Sequence, residues 1–368
     1  MKNKYDYLIV GAGLFGACFA QIMTERGKRC LIIEKREAIG GNIATEQVEG
    51  ITVHKFGAHI FHTSDERVWK YVNRFAQFNN FVNSPIANYK GTLYSLPFNM
   101  YTFNRLWGVR TPAEARAVID AQRAAAGDGE PQNLEEKALR SVGEDVYKTL
   151  IKGYTEKQWG RDCKYLPAFI IGRVPLRFTY DNNYFNDRFQ GIPIGGYSQM
   201  IKNMLSGTDV LLGIDYFSDR AKFDGMAERV LYTGEIDRYF DYKFGELEYR
   251  SLRFETETIE TDDFQGNAVV NYTDYETPFT RIIEHKHFDK TQVSDRTVVT
   301  REYPEKFEKG SEPYYPINDE KNTALYKKYA AEAAKSEKTL FGGRLAGYKY
   351  YDMDDTIAAV FALADGLK

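Results

Sequence analysis

The chain has 368 residues and a formal net charge of −3, from 49 basic and 52 acidic side chains. This length predicts two or three domains, each large enough to bury a core. Because there is no basic excess, a surface that binds nucleic acid or another polyanion is excluded, and we expect small-molecule partners.

The cysteine count and the hydropathy pattern indicate where the protein resides. Three cysteines are too few and too scattered for a disulfide framework or a metal cluster. The sequence has neither a run of eighteen apolar residues nor a signal-peptide pattern. We therefore expect a cytoplasmic protein without membrane insertion.

The first predicted element is a strand at residues 7–10 that leads into the turn GAGLFG at residues 11–16. Gly11 permits the tight turn, Gly13 lets the backbone approach a pyrophosphate, and Gly16 lets the following helix pack on the strand. A second strand at residues 30–33 ends in Glu34, about twenty residues beyond the glycines, where a carboxylate can accept from a ribose hydroxyl. A turn that only packs is the alternative, but the strand, the helix and Glu34 together favour a dinucleotide site.

A second glycine pair, Gly40-Gly41, is followed by Asn42. Glycines let the backbone come close to whatever lies over the first turn. Flavoproteins of the glutathione reductase type carry a similar pair after the ribose-binding acid, and this resemblance points to FAD.

A helix and an edge hairpin are predicted after residue 63, and helices are expected to dominate from about residue 99 to 160. Ser64 is expected to cap a helix, and the hairpin is expected to turn at Lys90-Gly91. Thr111-Pro112 opens another helix, with Glu114 at capping-box spacing. The apolar stripe of the first of these helices comprises Val68, Tyr71, Val72 and Phe75.

Beyond residue 166 the pattern changes to short aromatic pieces and then to alternating strands between residues 210 and 301. A helix at about residues 320–335, a strand at 339–341, the pair Gly342-Gly343 and a last helix from about 354 to 364 close the chain. This late strand is expected to return to the first sheet, with its helix pointing at the same cofactor.

We therefore predict an α/β fold: a discontinuous Rossmann-like FAD-binding domain resembling the glutathione reductase type, with an inserted helical domain and a β-sheet-rich substrate domain. The FAD-binding domain is expected to comprise residues 1–80, 205–235 and 336–368. The helical domain with a mobile substrate loop is expected at 99–195, and the substrate domain at 81–98 and 236–335.

Several chemistries are disfavoured by the sequence. The histidine pairs His59/His62 and His285/His287 have no nearby cysteine or acid set to complete a site, so we expect no bound metal. No GxSxG turn is present, which argues against acyl transfer. A set of tyrosines, Trp159 and arginines could instead stack on a base and bind phosphate oxygens. The alternative is that these are ordinary core and rim aromatics.

A family resemblance is carried by motifs spread over nearly the whole chain and in the family's order. They are VHKFGAHIFHT at 53–63, KGYTEKQWG at 152–160, YFN at 184–186, FQG at 189–191, YYP at 314–316 and YYDMD at 350–354. The chain resembles the bacterial UDP-galactopyranose mutases. This resemblance implies an FAD enzyme, active when the flavin is reduced, that interconverts UDP-galactopyranose and UDP-galactofuranose as a homodimer. It also implies no net redox, with N5 of the reduced flavin as the nucleophile at the anomeric carbon.

The resemblance further implies roles for individual residues. Catalytic roles fall on Arg173, Arg281, His59 and Tyr350. Substrate-binding roles fall on Asn83, Ile151, Tyr154, Trp159, Tyr180, Tyr184, Asn271 and Tyr315. Cofactor-binding roles fall on Gly11, Gly13, Phe15, Gly16, Glu34, Lys35, Gly41, Asn42, His59, Ile60, Arg344, Tyr351, Asp352, Met353 and Thr356.

Two departures from the family pattern are visible. Gly57-Ala58-His59 stands where the family has Gly-Pro-His, and Leu150 and Ile151 stand where aromatic side chains are often found. The second change implies a less aromatic uracil pocket. Arg173 is expected on a mobile segment, because Gly172 precedes it and Pro175 restrains the far end. Arg281 is expected on a fixed strand.

Two other functions remain open from the sequence. A flavin oxidoreductase, such as an amine oxidase with the same cofactor domain, would oxidise its substrate and need no uridine-diphosphate site. A non-catalytic nucleotide-sugar binding protein would bind UDP whatever the oxidation state of the flavin.

Overall fold

The structure is a computed structural model that describes residues 4–171 and 176–367. In chain order its strands are β1 (Tyr5–Val10), β2 (Cys30–Ile33), β3 (Thr45–Val48), β4 (Ile51–His54), β5 (Phe61–Thr63), β6 (Ile86–Tyr89), β7 (Thr92–Ser95), β8 (Phe189–Gly191), β9 (Asp209–Leu211), β10 (Ala227–Tyr232), β11 (Tyr249–Ile259), β12 (Val269–Tyr272), β13 (Arg281–Glu284), β14 (Thr297–Lys306), β15 (Tyr315–Pro316) and β16 (Thr339–Phe341).

The α-helices are, in the same order, α1 (Leu14–Glu25), α2 (Glu66–Val72), α3 (Met100–Trp107), α4 (Pro112–Ala125), α5 (Leu134–Val142), α6 (Glu144–Val146), α7 (Gly153–Trp159), α8 (Tyr197–Met204), α9 (Arg220–Asp224), α10 (Ile236–Tyr239), α11 (Glu320–Ala333), α12 (Gly343–Ala346) and α13 (Met353–Asp365). A π-helical segment at Tyr147–Lys152 leads directly into α7.

A five-stranded parallel sheet forms one half of the molecule, in the order β16-β10-β1-β2-β9. Its central strand β1 buries Leu8 and Ile9 completely. Helices α1, α8 and α13 pack over one face in the largest hydrophobic cluster. A parallel sheet needs such cover because its strands are apolar on both faces. The predicted Rossmann-like α/β fold is confirmed, and β16 returns to the first sheet as expected.

The second sheet is mixed and has seven strands, in the order β15-β11-β14-β13-β12-β6-β7. The predicted hairpin is confirmed as its edge: β6 and β7 pair antiparallel, and both Lys90 and Gly91 have positive φ. Helices α3 to α7 form a separate apolar core beside this sheet. The capping box at Thr111 is confirmed, with Pro112 in the first turn of α4.

The prediction that Ser64 caps the next helix is wrong by one residue. Asp65 is the cap, and its carboxylate accepts from the backbone N–H groups of Arg67 and Val68. Ser64 instead donates its hydroxyl to Asp187, 2.7 Å away. Helix α2 ends at Val72, so Phe75 lies beyond it, although its ring still packs on the ring of Tyr71.

Cys18, Cys30 and Cys163 are free and buried, as a reducing environment requires. Among the described residues, no helix combines the length and apolar character needed to cross a bilayer.

The glycine turn generates a stability prediction. A Cβ on Gly16 would lie 2.1 Å from the carbonyl oxygen of Gly11 and 3.1 Å from Cγ2 of Ile9, so helix α1 could not keep its distance from β1. We expect Gly16→Ala to destabilise the protein by about 1–3 kcal/mol, as overpacked cores do. The control is Gly366→Ala, whose new methyl meets nothing closer than 3.5 Å. Thermal unfolding should show a lower melting temperature for the first variant only. Equal melting temperatures would contradict the close approach.

Candidate active site

The glycine turn at residues 11–16 and the pair Gly40-Gly41 lie against each other at the carboxyl end of β1. Gly11 has a φ of +109°, and a Cβ there would lie 2.3 Å from Oγ1 of Thr233. A Cβ on Gly41 would lie 2.9 Å from Cα of Gly13. The second pair therefore lets two backbone turns touch, and this contact leaves the first turn and the start of α1 free of side chains.

Glu34 is buried at the end of β2, beneath the glycine turn. Its Oε2 accepts from the N–H of Ala12 at 2.8 Å, and its Oε1 accepts from the N–H of Arg36 at 2.9 Å. A carboxylate has about four acceptor positions, so two remain for hydroxyl donors. The acid thus fixes the turn and could also bind a ribose.

A groove of about 160 Å³ runs over this turn. Six of the residues that were predicted to bind the cofactor line it: Gly11, Gly13, Glu34, Lys35, Gly41 and Asn42. Glu312, which the sequence did not single out, bridges Lys35 at 2.9 Å and Arg36 at 2.7 Å in the same groove. Lys35 is therefore neutralised by a carboxylate from the loop that precedes β15.

Two helices begin at this side of the parallel sheet, α1 after Gly13 and α13 after Asp352. Neither has a side-chain cap among the described residues, although the N–H of Asp355 in α13 already donates to Asp354. Helix N-termini of this kind attract anionic groups such as phosphates. Phe15 packs so tightly that a Cβ on Gly342 would be 2.4 Å from its ring. This contact holds the start of α1 against the loop that enters α12.

The second sheet carries an ion pair, Arg281 with Glu302. The space around this pair, next to the 57–59 loop and Tyr154, is called the cleft below. Asn271, Arg281 and Glu302 are direct cross-strand neighbours on β12, β13 and β14, so their side chains share one face. Arg281 donates Nε–H to Oε2 of Glu302 at 2.8 Å. The carboxylate side chain is 1% exposed and the arginine side chain 22% exposed. Although burial opposes its charge, the Glu302 carboxylate raises the pKa of Arg281 above its usual value.

Tyrosine side chains surround this ion pair. Burial raises the pKa of Tyr154 to about 12, with Arg281 nearby acting in the opposite direction. The rings of Tyr315 and Tyr350 stack with centroids 6.0 Å apart, and the guanidinium of Arg344 lies 4.8 Å from the Tyr350 ring. Arg344 also donates to the carbonyl of Tyr351 at 2.7 Å. The phenol groups are neutral donors at physiological pH, arranged around one cationic centre.

The loop at residues 57–59 passes directly over the ion pair. Gly57 has a φ of +99°, and a Cβ there would lie 3.1 Å from Oε2 of Glu302. Nδ1 of His59 is 2.8 Å from the Gly57 carbonyl. Burial, together with the charges of Arg344 and Arg281, lowers the pKa of His59 to about 4. His59 is therefore neutral at neutral pH and adds no charge to the cleft.

Buried polar groups hold this loop in place. The N–H of His59 donates to Nδ1 of His54 at 3.2 Å, and the hydroxyl of Tyr197 donates to the His59 carbonyl at 3.0 Å. The N–H of His54 in turn donates to Nδ1 of His285 at 3.2 Å. Burial also keeps the pKa of both supporting histidines well below the usual range. This support was not predicted, because its members lie far apart in the chain, on β4, on α8 and after β13.

A second cavity, of about 350 Å³, lies between α7 and the sheet. It contains five predicted substrate residues: Ile151, Tyr154, Trp159, Tyr184 and Asn271. Oδ1 of Asn271 and Oε1 of Gln158 are buried without a hydrogen-bond partner in the described part of the chain. Gln158 was missed, although it lies four residues after Tyr154 on the same helix and therefore on the same face. A ligand with N–H donors would satisfy both acceptors.

Other predicted residues lie elsewhere. Tyr180 is half exposed, packs on Tyr101 and donates to the carbonyl of Arg110, so it does not line this cavity. Asn83 is buried behind Tyr184, whose N–H donates to its carbonyl at 2.8 Å. Arg173 lies outside the described residues.

The remaining cofactor-side predictions also have distinct surroundings. Ile60 belongs to a separate apolar cluster with Ile192 and Ile283. Thr356 donates its hydroxyl to the carbonyl of Asp352 in the first turn of α13, and Met353 packs against the main core.

The prediction that no set of acids lies near His287 is wrong. The fold brings Asp263 and Glu284 to His287, with one ligand atom of each within 4.8 Å of the others. Glu284 already accepts from the N–H groups of Phe264 and Gln265 and from the hydroxyl of Thr297. These contacts, with the Glu284 hydrogen bond that raises the pKa of His287, account for the cluster without an ion. The absence of a metal stays a prediction.

The fold and the cleft together define a protein of the Rossmann-like class, with a glycine turn of the nucleotide-binding type and a cleft that contains a half-buried arginine. The family model for UDP-galactopyranose mutase matches residues 149–350, and one for an NAD(P)-binding Rossmann-like domain matches residues 9–75. This chain belongs to the UDP-galactopyranose mutase family, whose members are flavin-dependent isomerases.

Comparisons with individual proteins agree with this assignment. A probable UDP-galactopyranose mutase of Klebsiella pneumoniae is 40% identical over 99% of this chain and 95% of its own. A dTDP-fucopyranose mutase of Escherichia coli is also 40% identical, over 94% of each chain. A solved structure of reduced UDP-galactopyranose mutase superposes with a TM-score of 0.75 at 16% identity, over 98% of this chain and 93% of that one.

The Arg281–Glu302 pair generates a prediction. Glu302→Gln keeps the shape of the side chain but leaves the half-buried guanidinium without its counter-charge, which should cost about 1–3 kcal/mol of unfolding free energy. The matched control is Glu305→Gln on the same strand, because Glu305 pairs with Arg253 at 3.0 Å on the exposed face. Its removal should cost less than about 1 kcal/mol. Urea unfolding measures both losses, and equal losses would show that burial of the first pair has no special effect.

Proposed function

We propose that this protein interconverts UDP-galactopyranose and UDP-galactofuranose, with FAD as its cofactor in the reduced state. The observation that carries the proposal is the position of Arg281, which is the cross-strand neighbour of Asn271 in the cavity beside α7 and lies under the 57–59 loop. Its Nε is bound to Glu302, so its terminal nitrogens remain to bind an anion. Of the other functions considered, a flavin oxidoreductase gives no reason for a guanidinium at this point, and a nucleotide-sugar binding protein gives none for the cofactor groove on the first sheet.

The residues of the first sheet fit FAD. The bare glycine turn and the uncapped start of α1 suit a pyrophosphate, and Glu34 retains acceptor positions for a ribose. Arg344, the 57–59 loop and the start of α13 would face the flavin ring. When bound and reduced, this flavin would supply the nucleophile, N5, at the anomeric carbon of the sugar.

The nucleotide would occupy the cavity beside α7. Trp159 and Tyr154 offer ring faces for a base, and stacking of this kind is worth about 1–3 kcal/mol. From there the diphosphate would reach Arg281 and the phenol donors of Tyr315 and Tyr350. Charge-assisted hydrogen bonds to phosphate are about twice as strong as neutral ones.

The protein's own groups fit an isomerase whose nucleophile comes from a cofactor. Within the described residues around Arg281, the titratable side chains are phenols, a neutral histidine, arginines and a carboxylate that is already bound. None of these is a free nucleophile. Arg281 would stabilise the departing diphosphate, and the enclosing tyrosines would keep water away from the reacting carbon.

A second substrate is favoured by one observation. Leu150 and Ile151 line the cavity beside α7 together with Leu134 and Ile170, so one part of its wall is aliphatic. A thymine methyl group would be buried there without loss, since each buried CH₂ or CH₃ contributes about 0.8 kcal/mol. The likeness to a dTDP-fucopyranose mutase is as high as that to the UDP-galactopyranose mutase. A dTDP-linked hexopyranose is therefore the alternative substrate.

We also propose a cytoplasmic homodimer with the three-part division given by the sequence. All five strands of the parallel sheet lie within the segments 1–80, 205–235 and 336–368. This placement supports a discontinuous cofactor domain.

The test is an isomerisation assay with the purified yellow protein. UDP-galactofuranose is supplied with and without dithionite, and the products are separated by chromatography. We expect conversion to UDP-galactopyranose only with reduced flavin, without stoichiometric consumption of reductant. The parallel reaction with dTDP-fucofuranose decides between the two nucleotides.

Each of the remaining outcomes would indicate a different function. Net oxidation of the sugar would indicate an oxidoreductase. Equal turnover by oxidised and reduced protein would contradict the role of the flavin. Binding of UDP without turnover in either state would indicate a nucleotide-sugar binding protein.

A further inference from the structure

Lys157 is a buried lysine without a carboxylate partner among the described residues. It lies on α7, only 9% exposed, and Nζ donates to the carbonyl oxygens of Tyr272 at 2.8 Å and Phe279 at 2.9 Å. The nearest acids are already bound. Asp274 accepts from the N–H and hydroxyl of Thr277, and Glu276 pairs with Lys90. A buried ammonium group normally needs an anionic partner, so a lysine that donates to two carbonyl oxygens requires an explanation.

The two carbonyls belong to the connection between β12 and β13. Tyr272 ends the strand that carries Asn271, and Phe279 lies two residues before Arg281. Lys157 lies on the helix that carries Tyr154 and Trp159. Its ammonium therefore joins the base-stacking helix to the two strands that carry the polar and cationic groups of the cleft.

Two further contacts fix the same helix. A Cβ on Gly153 would lie 2.5 Å from the carbonyl oxygen of Thr273, so the start of α7 touches the backbone of this connection. At the other end, Arg250 on β11 donates Nε–H to the carbonyl of Gln158 at 2.9 Å. Of these contacts, only the hydrogen bonds from Lys157 bring a positive charge to the connection between β12 and β13.

We propose that Lys157 is a positioning residue that sets the distance between the base-stacking side chains of α7 and the diphosphate-binding groups of β12 and β13. The inference rests on the proposed function, because it assumes that one nucleotide spans both elements. Its consequence is a nucleotide affinity that depends on the charge of Lys157, although the side chain touches no part of the nucleotide cavity.

The proton on Lys157 is lost within an accessible pH range. Burial lowers the pKa of Lys157 to about 8, while the Asp274 and Glu276 carboxylates act in the opposite direction. Below this pH the ammonium makes charge-assisted bonds to both carbonyls. Above it the neutral amine makes weaker ones, since hydrogen bonds to charged groups are roughly twice as strong. The affinity for a nucleotide should thus fall as the pH rises through 8.

The experiment measures UDP binding by calorimetry from pH 7 to pH 9. The terminal phosphate of UDP is already ionised over this range, since such groups titrate near pH 6. For the unmodified protein we expect the dissociation constant to rise roughly threefold to tenfold. Lys157→Met should bind more weakly at pH 7 and show no such rise. The control is Lys148→Met, which removes an exposed lysine paired with Glu144 and should behave like the unmodified protein.

The outcomes separate the inference from the function on which it rests. A flat profile for the unmodified protein, or the same rise in Lys157→Met, would overturn the role of Lys157 and leave the proposed function intact. Failure of the unmodified protein to bind UDP at any pH would overturn both. If Lys157→Met does not fold, the pH dependence of UDP binding is compared between the unmodified protein and Lys148→Met. A dissociation constant that does not change with pH in the unmodified protein still overturns the inference.

Discussion

The structure depends on the burial of one ion pair, Arg281 with Glu302. Removing two charges from water is costly, and only good geometry with further hydrogen bonds offsets that cost. Adjacent strands provide this geometry, because cross-strand neighbours on β13 and β14 face the same side. Glu302 accepts from Nε, which leaves the terminal nitrogens of Arg281 for other partners. A permanently charged guanidinium is thereby held at a fixed point without help from a ligand.

His59 and the tyrosines around the Arg281–Glu302 pair add no further charge to it. His59 is neutral because it is buried near two arginines, and the phenols of Tyr154 and Tyr315 are neutral because burial raises the pKa of each. The 57–59 loop can cross the pair only with glycine at position 57. An incoming diphosphate would therefore meet Arg281, with Arg344 nearby, and several neutral donors, with α7 on one side and the cofactor on the other.

Most local features of this molecule and the return of β16 to its first sheet were predictable, whereas side-chain pairs between strands were not. The glycine turn, the hairpin at Lys90-Gly91 and the capping box at Thr111 depend on neighbours in sequence, and all three are present. The helix cap is Asp65 and not Ser64, because two adjacent residues can both cap the helix and the Ser64 hydroxyl donates to Asp187. Glu302 and the acids around His287 were missed, since their partners are set by strand register that a single sequence does not reveal. Roles for Arg281, Tyr154 and Trp159 came from motif resemblance, and the fold brings these three together.

The most direct test of this account compares the binding of UDP with that of uridine, which lacks the phosphates. The double variant Arg281→Met with Glu302→Gln leaves no buried charge unpaired, and Trp159→Ala removes the stacking face. The account predicts that the double variant loses roughly tenfold to hundredfold in UDP affinity but none in uridine affinity. Trp159→Ala should weaken both ligands by the same factor. Equal loss of UDP and uridine in the double variant would contradict the central claim that Arg281 is the diphosphate site.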